Sequence, residues 1–265
     1  MITSGISTAS LYPKYTEDAL YELAVRGVDL VEIFLNSDSE LKKPFIDELK
    51  IILDGHGTNV SSIHPYTCGI EPLMFFTQYE RRFLDILDYY KKYFEIMNQL
   101  GAKIFVFHGN KDVNVFPDDK YFERFQKLCQ VGREFGITVA HENVARCSGG
   151  SLDFLKNMIA ALGDDAKIVF DTKQAVRRGY DPYLFMSEIY KNIAHIHISD
   201  YSEKGDCLLI GEGKLNFNKF IEKLNEYSYT GSIILELYSY CYTTYDELSQ
   251  NLSYFRGIIE NSCQV

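Results

Sequence analysis

Six apolar, strand-like segments of this chain each end in a side chain that can bind a metal ion. A turn or loop follows each segment. The carboxyl ends of parallel strands that lie side by side meet on one face of a barrel, so these six side chains would converge. Imidazole nitrogens and carboxylate oxygens bind divalent cations, and the pattern therefore predicts a metal site. The six residues are His64, His108, Glu142, Asp171, His197 and Glu236.

The three acids and His197 form the best-defined part of this set. They offer three oxygen donors and one nitrogen donor, a mixture that suits Mn²⁺, Mg²⁺, Co²⁺ or Zn²⁺. A carboxylate at the end of a buried strand is costly unless it is paired or bound to a metal. The structural alternative is therefore a salt bridge to a lysine or arginine for Glu142 and Glu236. For Asp171 the alternative is a helix N-cap.

The other histidines have different surroundings. His195 shares a strand face with His197 but lies one layer deeper, which predicts a supporting position or a contact with substrate. His141 precedes Glu142 and faces the other side of the same strand, so we expect it to pack against helices. His56 has no such context, and we expect it at the surface or at the end of a helix.

Basic residues near the predicted strand ends are candidates for binding an anion. Lys173 lies two residues after Asp171, where it could contact an oxyanion or a phosphate of the substrate. The alternative is a solvated loop lysine. Loops near the strand ends also hold Arg146, Arg177 and Arg178. These arginines could bind phosphate, with placement at the surface as the default.

Eight strand-like segments alternate with eight helical patterns. The strands are predicted at residues 2–7, 29–35, 59–64, 103–108, 137–142, 167–171, 193–198 and 232–237. The helices are predicted at residues 16–27, 40–55, 75–100, 118–135, 151–162, 182–191, 216–227 and 243–260. Alternating βα units imply a parallel sheet with right-handed crossovers, and this uninterrupted series favours a closed (β/α)8 barrel of the α/β class. Long loops at 65–75 and 201–214 would border the active site. Glu32, which ends the apolar stretch of the second strand, could support the ligands.

The composition sets the class of protein. The chain has 265 residues, of which 46% are hydrophobic and 24% charged, so one large domain over 1–265 is sufficient. A net charge of −10 makes nucleic acid an unlikely partner, because phosphate contacts need Lys and Arg. The six scattered cysteines form no C-x-x-C pair, which predicts reduced thiols. No signal peptide or apolar span of ~20 residues is visible, so we expect a cytoplasmic protein.

The order of these residues resembles the xylose isomerase-like TIM barrel superfamily over essentially the whole chain. The most specific part is H-I-H-I-S-D at 195–200, followed by G-E-G at 211–213 and a strand that ends in Glu236. The superfamily includes sugar-phosphate isomerases and epimerases, ketose 3-epimerases, inosose dehydratases and AP endonucleases of the endonuclease-four type. Its motifs are specific for the superfamily and not for one activity.

The resemblance implies a metal-dependent site with defined roles. It implies one divalent metal ion, held by Glu142, Asp171, His197 and Glu236. The two glutamates of this set would act as the acid/base pair around a metal-stabilised enediolate. His64 and His108 would contact substrate or, together with Glu142, bind a second metal ion as in the endonuclease branch.

The sequence departs from the superfamily in two places. Many members have D-x-x-H after strand six, whereas this chain has Gln174 in the last position. Glutamine can donate a hydrogen bond to a sugar hydroxyl but cannot transfer a proton. The endonuclease branch has D-x-H before G-E-G, whereas the corresponding stretch here, G-D-C-L-L-I-G-E-G, has no histidine. A three-metal nuclease site would therefore be incomplete.

The resemblance predicts a metal-dependent isomerase or epimerase of a small sugar, keto-sugar or sugar phosphate. The alternatives are a lyase of the inosose dehydratase type, a metal phosphodiesterase of the endonuclease-four type, and a sugar-binding protein without activity. Members of this class are often homo-oligomers. The residues expected to contact substrate are His64, His108, Lys173, Gln174 and His195.

Overall fold

Eight parallel strands close into a barrel, as the sequence predicts. The structure is a computed structural model that describes residues 2–262. The strands in this range are β1 (Thr3–Ser7), β2 (Leu30–Leu35), β3 (Asn59–Pro65), β4 (Ile104–Phe107), β5 (Thr138–Glu142), β6 (Lys167–Asp171), β7 (Ile193–Ile198), β8 (Asp200–Ser202), β9 (Gly205–Leu208) and β10 (Ser232–Leu235). The order around the barrel is β1-β10-β7-β6-β5-β4-β3-β2, and β8 and β9 form a separate antiparallel hairpin. The (β/α)8 prediction is confirmed.

The helices lie outside the strands of the barrel, and the longer ones bury an apolar face against it. Those in the described range are α1 (Thr16–Ala24), α2 (Lys43–His56), α3 (Glu71–Met74), α4 (Glu80–Leu100), α5 (Asp118–Glu134), α6 (Leu152–Leu162), α7 (Thr172–Arg177), α8 (Pro182–Ile189), α9 (Phe217–Glu226) and α10 (Tyr245–Ser262). On α4, Tyr90 and Phe94 lie four residues apart, and both rings pack edge-on against Phe105 of β4 at 5.3 Å between centroids. The helical spacing of aromatic residues thus fixes α4 on the barrel.

Alternation along the strands separates the floor of the barrel from its outer layer. Val106, Ala140 and Val169 point inward and form a small apolar cluster of their own. Their neighbours in sequence point outward to the helices; Phe107, for example, packs against Phe125 of α5 at 5.6 Å. The residues two positions after the floor residues face inward again, one layer higher. These positions hold the chemistry-bearing side chains predicted at the strand ends.

The predicted helix at 75–100 is wrong in its first turn. The helix begins at Glu80; the short α3 ends at Met74, and residues 75–79 are not helical. Arg124 of α5 explains the break, because its buried guanidinium donates to the carbonyls of Phe75 and Thr77 and pairs with Glu80 at 2.7 Å. These carbonyls accept from a side chain 49 and 47 residues away instead of from the next helical turn.

The loop predicted at 201–214 contains the β8–β9 hairpin and is fixed by Asp200. The Asp200 carboxylate accepts hydrogen bonds from the amides of Gly211 at 3.1 Å, Gly213 at 2.8 Å and Leu215 at 3.0 Å. A Cβ atom at Gly213 would collide with this carboxylate and with the carbonyl of Tyr201. The G-E-G motif therefore allows the backbone to wrap around the aspartate of H-I-H-I-S-D.

Two predictions about the whole chain can be compared with residues 2–262. None of the helices in this range is both long enough and apolar enough to cross a membrane. The five cysteines in the range carry free thiols, as predicted, and Cys263 lies outside the described residues.

Candidate metal centre at the barrel mouth

Four of the predicted ligands lie together at the C-terminal ends of the strands. Four ligand atoms, one from each residue, all lie within 4.8 Å of one another. The residues are Glu142, Asp171, His197 and Glu236. Glu142 and Asp171 are the last residues of β5 and β6, and Asp171 is in register with His197 of β7. Glu236 follows β10 directly, one residue beyond the strand. His197 Nδ1 lies 3.5 Å from Glu142 Oε1 and 3.4 Å from Glu236 Oε2.

The donor atoms of this cluster fit a metal ion. His197 Nδ1, Asp171 Oδ2 and Glu142 Oε2 are buried and make no hydrogen bond of normal geometry within the described chain. Charged atoms approach two of them, since Lys173 Nζ lies 3.0 Å from Asp171 Oδ2 and His108 Nε2 lies 3.0 Å from Glu142 Oε2. Buried polar atoms normally have partners, so this convergence of unpartnered ligand atoms is compatible with a metal site.

The charge balance of the cluster leads to the same conclusion. Lys173 Nζ lies 2.8 Å from Glu236 Oε2 and 3.0 Å from Asp171 Oδ2. One ammonium thus faces three carboxylates when Glu142 is included. This buried space carries an excess of negative charge when the imidazoles of His108 and His197 are neutral, as an imidazole that binds a metal must be. A divalent cation would balance it. The expected salt bridge to a lysine is present for Glu236, whereas Glu142 has only histidines as cationic neighbours. Lys173 is 3% exposed, so the alternative of a solvated loop lysine is wrong.

Asp171 serves a helix and the cluster at once. Its Oδ1 accepts a hydrogen bond from the amide of Gln174 at 3.2 Å and so caps the N-terminus of α7. Its Oδ2 faces Lys173 and the other ligands. The N-cap interpretation and the ligand interpretation of Asp171 are therefore compatible, because each uses a different oxygen.

Glu32 orients His197 from below. Glu32 is fully buried and accepts hydrogen bonds from Ser7 Oγ at 3.0 Å and Ser62 Oγ at 2.8 Å. Its Oε2 also lies 3.0 Å from His197 Nε2. A carboxylate can only accept, so Nε2 carries the proton and the Nδ1 lone pair points toward the acids. From the sequence, Glu32 is predicted only as a residue that could support the ligands.

His195 lies beneath the cavity. It is fully buried, with Nε2 3.1 Å from Ser62 Oγ and 3.4 Å from Glu32 Oε2, and it does not line the cavity. Of the two roles expected for His195, its position favours support of the ligand layer over direct contact with substrate.

His64 and His108 form a second group that shares Glu142. The two Nε2 atoms lie 3.0 Å apart, and Glu142 Oε2 lies 3.0 Å from His108 Nε2 and 3.9 Å from His64 Nε2. All three ligand atoms lie within 4.8 Å of one another. The geometry thus permits both alternatives given for these histidines, contact with substrate and a second metal ion.

Burial and charge shift the carboxylates in opposite directions. Burial raises the pKa of Asp171 to about 6, with Glu236 and Glu142 acting in the same direction and Lys173 against them. Burial alone would raise the pKa of Glu142, but the nearby imidazoles of His108 and His197 hold this pKa well below its ordinary value. Burial likewise opposes a lowered pKa at Glu236, where Lys173 and His197 prevail. Both glutamates are therefore ionised at neutral pH.

A cavity of about 470 Å³ opens above the cluster. This volume suits a small ligand. Most of the predicted site residues reach it, as the lining includes His64, His108, Glu142, Lys173, Gln174 and Glu236. Gln174 is held by the amide of Ala145, which donates to Gln174 Oε1 at 3.1 Å. Lys111 and Tyr238 also line the cavity and were missed in the sequence, because both lie in loops without periodic pattern.

The other two histidines lie away from the cluster, as predicted. His141 faces outward, with Nε2 2.6 Å from the Tyr121 hydroxyl and its ring packed against Phe107 and Phe125. His56 is the exposed last residue of α2.

Comparisons with known proteins agree with this architecture. The profile of the xylose isomerase-like TIM barrel family matches residues 20–258. An uncharacterised protein of Methanocaldococcus jannaschii is 29% identical over 171 residues, which cover 60% of this chain and 64% of that protein. Inosose dehydratase of Lacticaseibacillus casei is 24% identical over 180 residues, which cover 55% of this chain and 60% of that enzyme. The chain thus spans less than two thirds of the length of both relatives.

Two solved structures share the fold. The crystal structure of a D-tagatose 3-epimerase-like protein has a TM-score of 0.79 at 20% identity and covers 98% of this chain and 99% of its own. The IOLI protein, solved with a zinc atom bound, has a TM-score of 0.77 at 16% identity and covers 98% of this chain and 99% of its own. Because the family profile spans most of the sequence, the chain belongs to the xylose isomerase-like TIM barrel family.

Proposed function

We propose that this protein is a divalent-metal-dependent isomerase or epimerase of a small sugar, keto-sugar or sugar phosphate. The observation that carries the proposal is the placement of Glu142 and Glu236. Both line one cavity, and they come from β5 and the end of β10, which are separated around the barrel by β6 and β7. Two carboxylates at the wall of one pocket can contact a bound substrate from two sides.

The four clustered side chains would hold the metal ion. The ligands would be Glu142, Asp171, His197 and Glu236, with Glu32 fixing the orientation of His197. A divalent cation in this position supplies charge that polarises the carbonyl and hydroxyl oxygens of a bound sugar. Lys173 neutralises part of the charge of Asp171 and Glu236, so that the cluster does not repel a substrate oxyanion.

The two glutamates would move the proton. One glutamate, ionised, removes a proton from the carbon next to the sugar carbonyl. The other, which has first taken up a proton from solvent, returns that proton to the same carbon from the opposite face in an epimerase. Such a base must be ionised at the working pH and within reach of the carbon. The lowered pKa of each glutamate meets the first condition. Gln174 would hydrogen-bond a sugar hydroxyl, and His64 and His108 would contact the substrate.

Glu236→Gln tests the assignment directly. We expect kcat on a sugar substrate to fall by roughly 10²–10⁴-fold while the fold is retained, because glutamine cannot accept the proton. The substrate is found by incubating the metal-loaded enzyme with a panel of ketoses, aldoses and their phosphates in D₂O and following deuterium incorporation. Glu222→Gln, at an exposed position on α9, is the control and keeps full activity. Full activity of Glu236→Gln would refute the role of Glu236.

A lyase is the second candidate. One relative of the chain is an inosose dehydratase, and loss of water could use the same acid/base pair. The mass of the product distinguishes the two reactions. An unchanged mass, apart from exchanged deuterium, means an isomerase or epimerase, and loss of one water means a lyase.

A further inference from the structure

Two cations without a carboxylate partner lie at the rim of the cavity. Lys111 and Arg146 both line the cavity and are exposed. Within residues 2–262 neither makes a salt bridge, in contrast to three cations that lie in α7 or directly after it. Lys173 is paired with an acid at 2.8 Å, Arg177 at 2.5 Å and Arg178 at 2.6 Å.

The two unpaired cations are carried by loops that are bonded to each other. Lys111 and Cys147 form an antiparallel bridge between the loops after β4 and β5. The amide of Asp112 donates to the carbonyl of Arg146 at 3.1 Å. A short ladder of backbone hydrogen bonds therefore holds Lys111 and Arg146 next to each other. Little ordering of the loops is needed when a ligand binds.

The nearest acid in this ladder is already occupied. Arg178 donates to Asp112 Oδ2 at 2.6 Å and to the carbonyl of Ala145 at 2.8 Å. The charge of Asp112 is thereby balanced, and the positive charge of its neighbour Lys111 remains directed at the cavity. In a chain with net charge −10, an unbalanced pair of cations on one pocket rim is a specific feature.

We propose that Lys111 and Arg146 bind an anionic group of the substrate, either a carboxylate or a phosphate. This inference rests on the proposed function, because it assigns the substrate class of the same cavity. A guanidinium offers paired donors to a carboxylate or phosphate, and the nearby ammonium adds a second charge. The enzyme then selects a sugar acid or a sugar phosphate over a neutral sugar.

The test compares three probes on the metal-loaded enzyme: a neutral ketohexose, a ketohexose phosphate and a hexuronate. We expect kcat/KM for one anionic probe to exceed that for the neutral sugar by at least about tenfold. In the double variant Lys111→Gln/Arg146→Gln this preference should fall by about 10- to 100-fold. Preference for the phosphate identifies a sugar phosphate, and preference for the hexuronate identifies a sugar acid.

Matched controls come from exposed cations far from the cavity. Lys50→Gln on α2 and Arg81→Gln on α4 remove the same charges and keep the wild-type preference. Thermal melting of the double variant shows whether the fold is intact. A double variant that melts like wild type and keeps the wild-type preference for the anionic probe overturns the anion site.

Calorimetric binding of the same probes separates this inference from the proposed function. If an anionic probe binds more tightly than the neutral sugar, and the double variant loses the difference, the anion site stands even when no probe is turned over. In that case the proposed function fails alone. If sugars are turned over but anionic and neutral probes have equal affinity and equal kcat/KM, the anion site is wrong and the proposed function stands.

Discussion

Glu32 lies below the cavity and determines which nitrogen of His197 faces the candidate ligands. Ser7 and Ser62 donate to its carboxylate, which leaves it to accept from His197 Nε2. Burial lowers the pKa of His197, but Glu32 and Glu236 outweigh burial and hold it well above its ordinary value. The negative field that attracts a proton to this ring also attracts a metal cation to Nδ1.

Glu32→Gln should weaken metal binding without removing a ligand. An amide can turn its NH₂ toward His197 and disturb the tautomer, so we expect metal affinity to fall by roughly 10–100-fold. Competition with a chelator measures the affinity. Glu40→Gln changes a buried glutamate away from the cluster and serves as the control. Equal affinity of Glu32→Gln and wild type would contradict this role.

His141 makes stability dependent on pH. Its Nδ1–H donates to the carbonyl of Glu142, and Nε2 accepts from Tyr121. Burial, with a smaller contribution from His108, lowers the pKa of His141 from 6.5 to about 4. As pH falls from 6.5 to 4, His141 binds a proton in the unfolded chain but not in the folded chain. The contribution to stability is therefore complete above pH 6.5 and is lost as pH falls, by up to about 3 kcal/mol.

Denaturant unfolding between pH 7 and pH 4 checks this expectation. His141→Gln removes the titrating group, so its free energy of unfolding should decrease less steeply with falling pH than that of wild type. The absolute stability of this variant is lower, but only the slope is compared. His56→Gln replaces an exposed histidine and should keep the wild-type slope. An unchanged slope in His141→Gln would show that another group is responsible.

At the scale of elements, the end of β4 depends on close packing of the following loop. Gly109 has a φ of +83°, and a Cβ atom there would collide with the Tyr121 hydroxyl and the His141 ring. Its amide also donates to Glu71 Oε2 at 3.1 Å, which ties the loop after β3 to the loop after β4. This packing holds His108 at the cavity.

Gly109→Ala should destabilise the protein by at least about 2 kcal/mol, because backbone strain and the collision add. Urea denaturation measures the change. Gly55→Ala, in the helix α2 where a Cβ atom meets nothing within 4 Å, should be neutral or slightly stabilising. If both variants lost the same stability, the loop would not be packed as described.

The elements show where sequence patterns suffice and where they fail. All eight barrel strands could be predicted because apolar runs and turn residues lie close together in sequence. The first turn of the helix expected at 75–100 could not, because Arg124 binds its carbonyls from a distant segment. The same limit applies to the hairpin after β7, which depends on Asp200 and on amides 11 to 15 residues away.

At the scale of the whole molecule, closure of the barrel is what makes a site out of scattered residues. The convergence of Glu142, Asp171, His197 and Glu236 could be expected from strand ends and from the family resemblance. The choice between the two roles expected for His195 and the unpaired state of Lys111 could not, since both depend on the stagger of strands and on loop contacts. The fold was therefore more predictable than the rim of the cavity.

Metal content is the measurement that tests the central claim most directly. Wild type and Glu142→Ala, purified and dialysed side by side, are compared by elemental analysis. We expect about one divalent cation per chain in wild type and little in the variant, because Glu142 belongs both to the four-ligand cluster and to the group with His64 and His108. About two per chain would mean that His64 and His108 also bind metal. No metal in wild type, even after reconstitution with Mn²⁺ or Zn²⁺, would contradict the account.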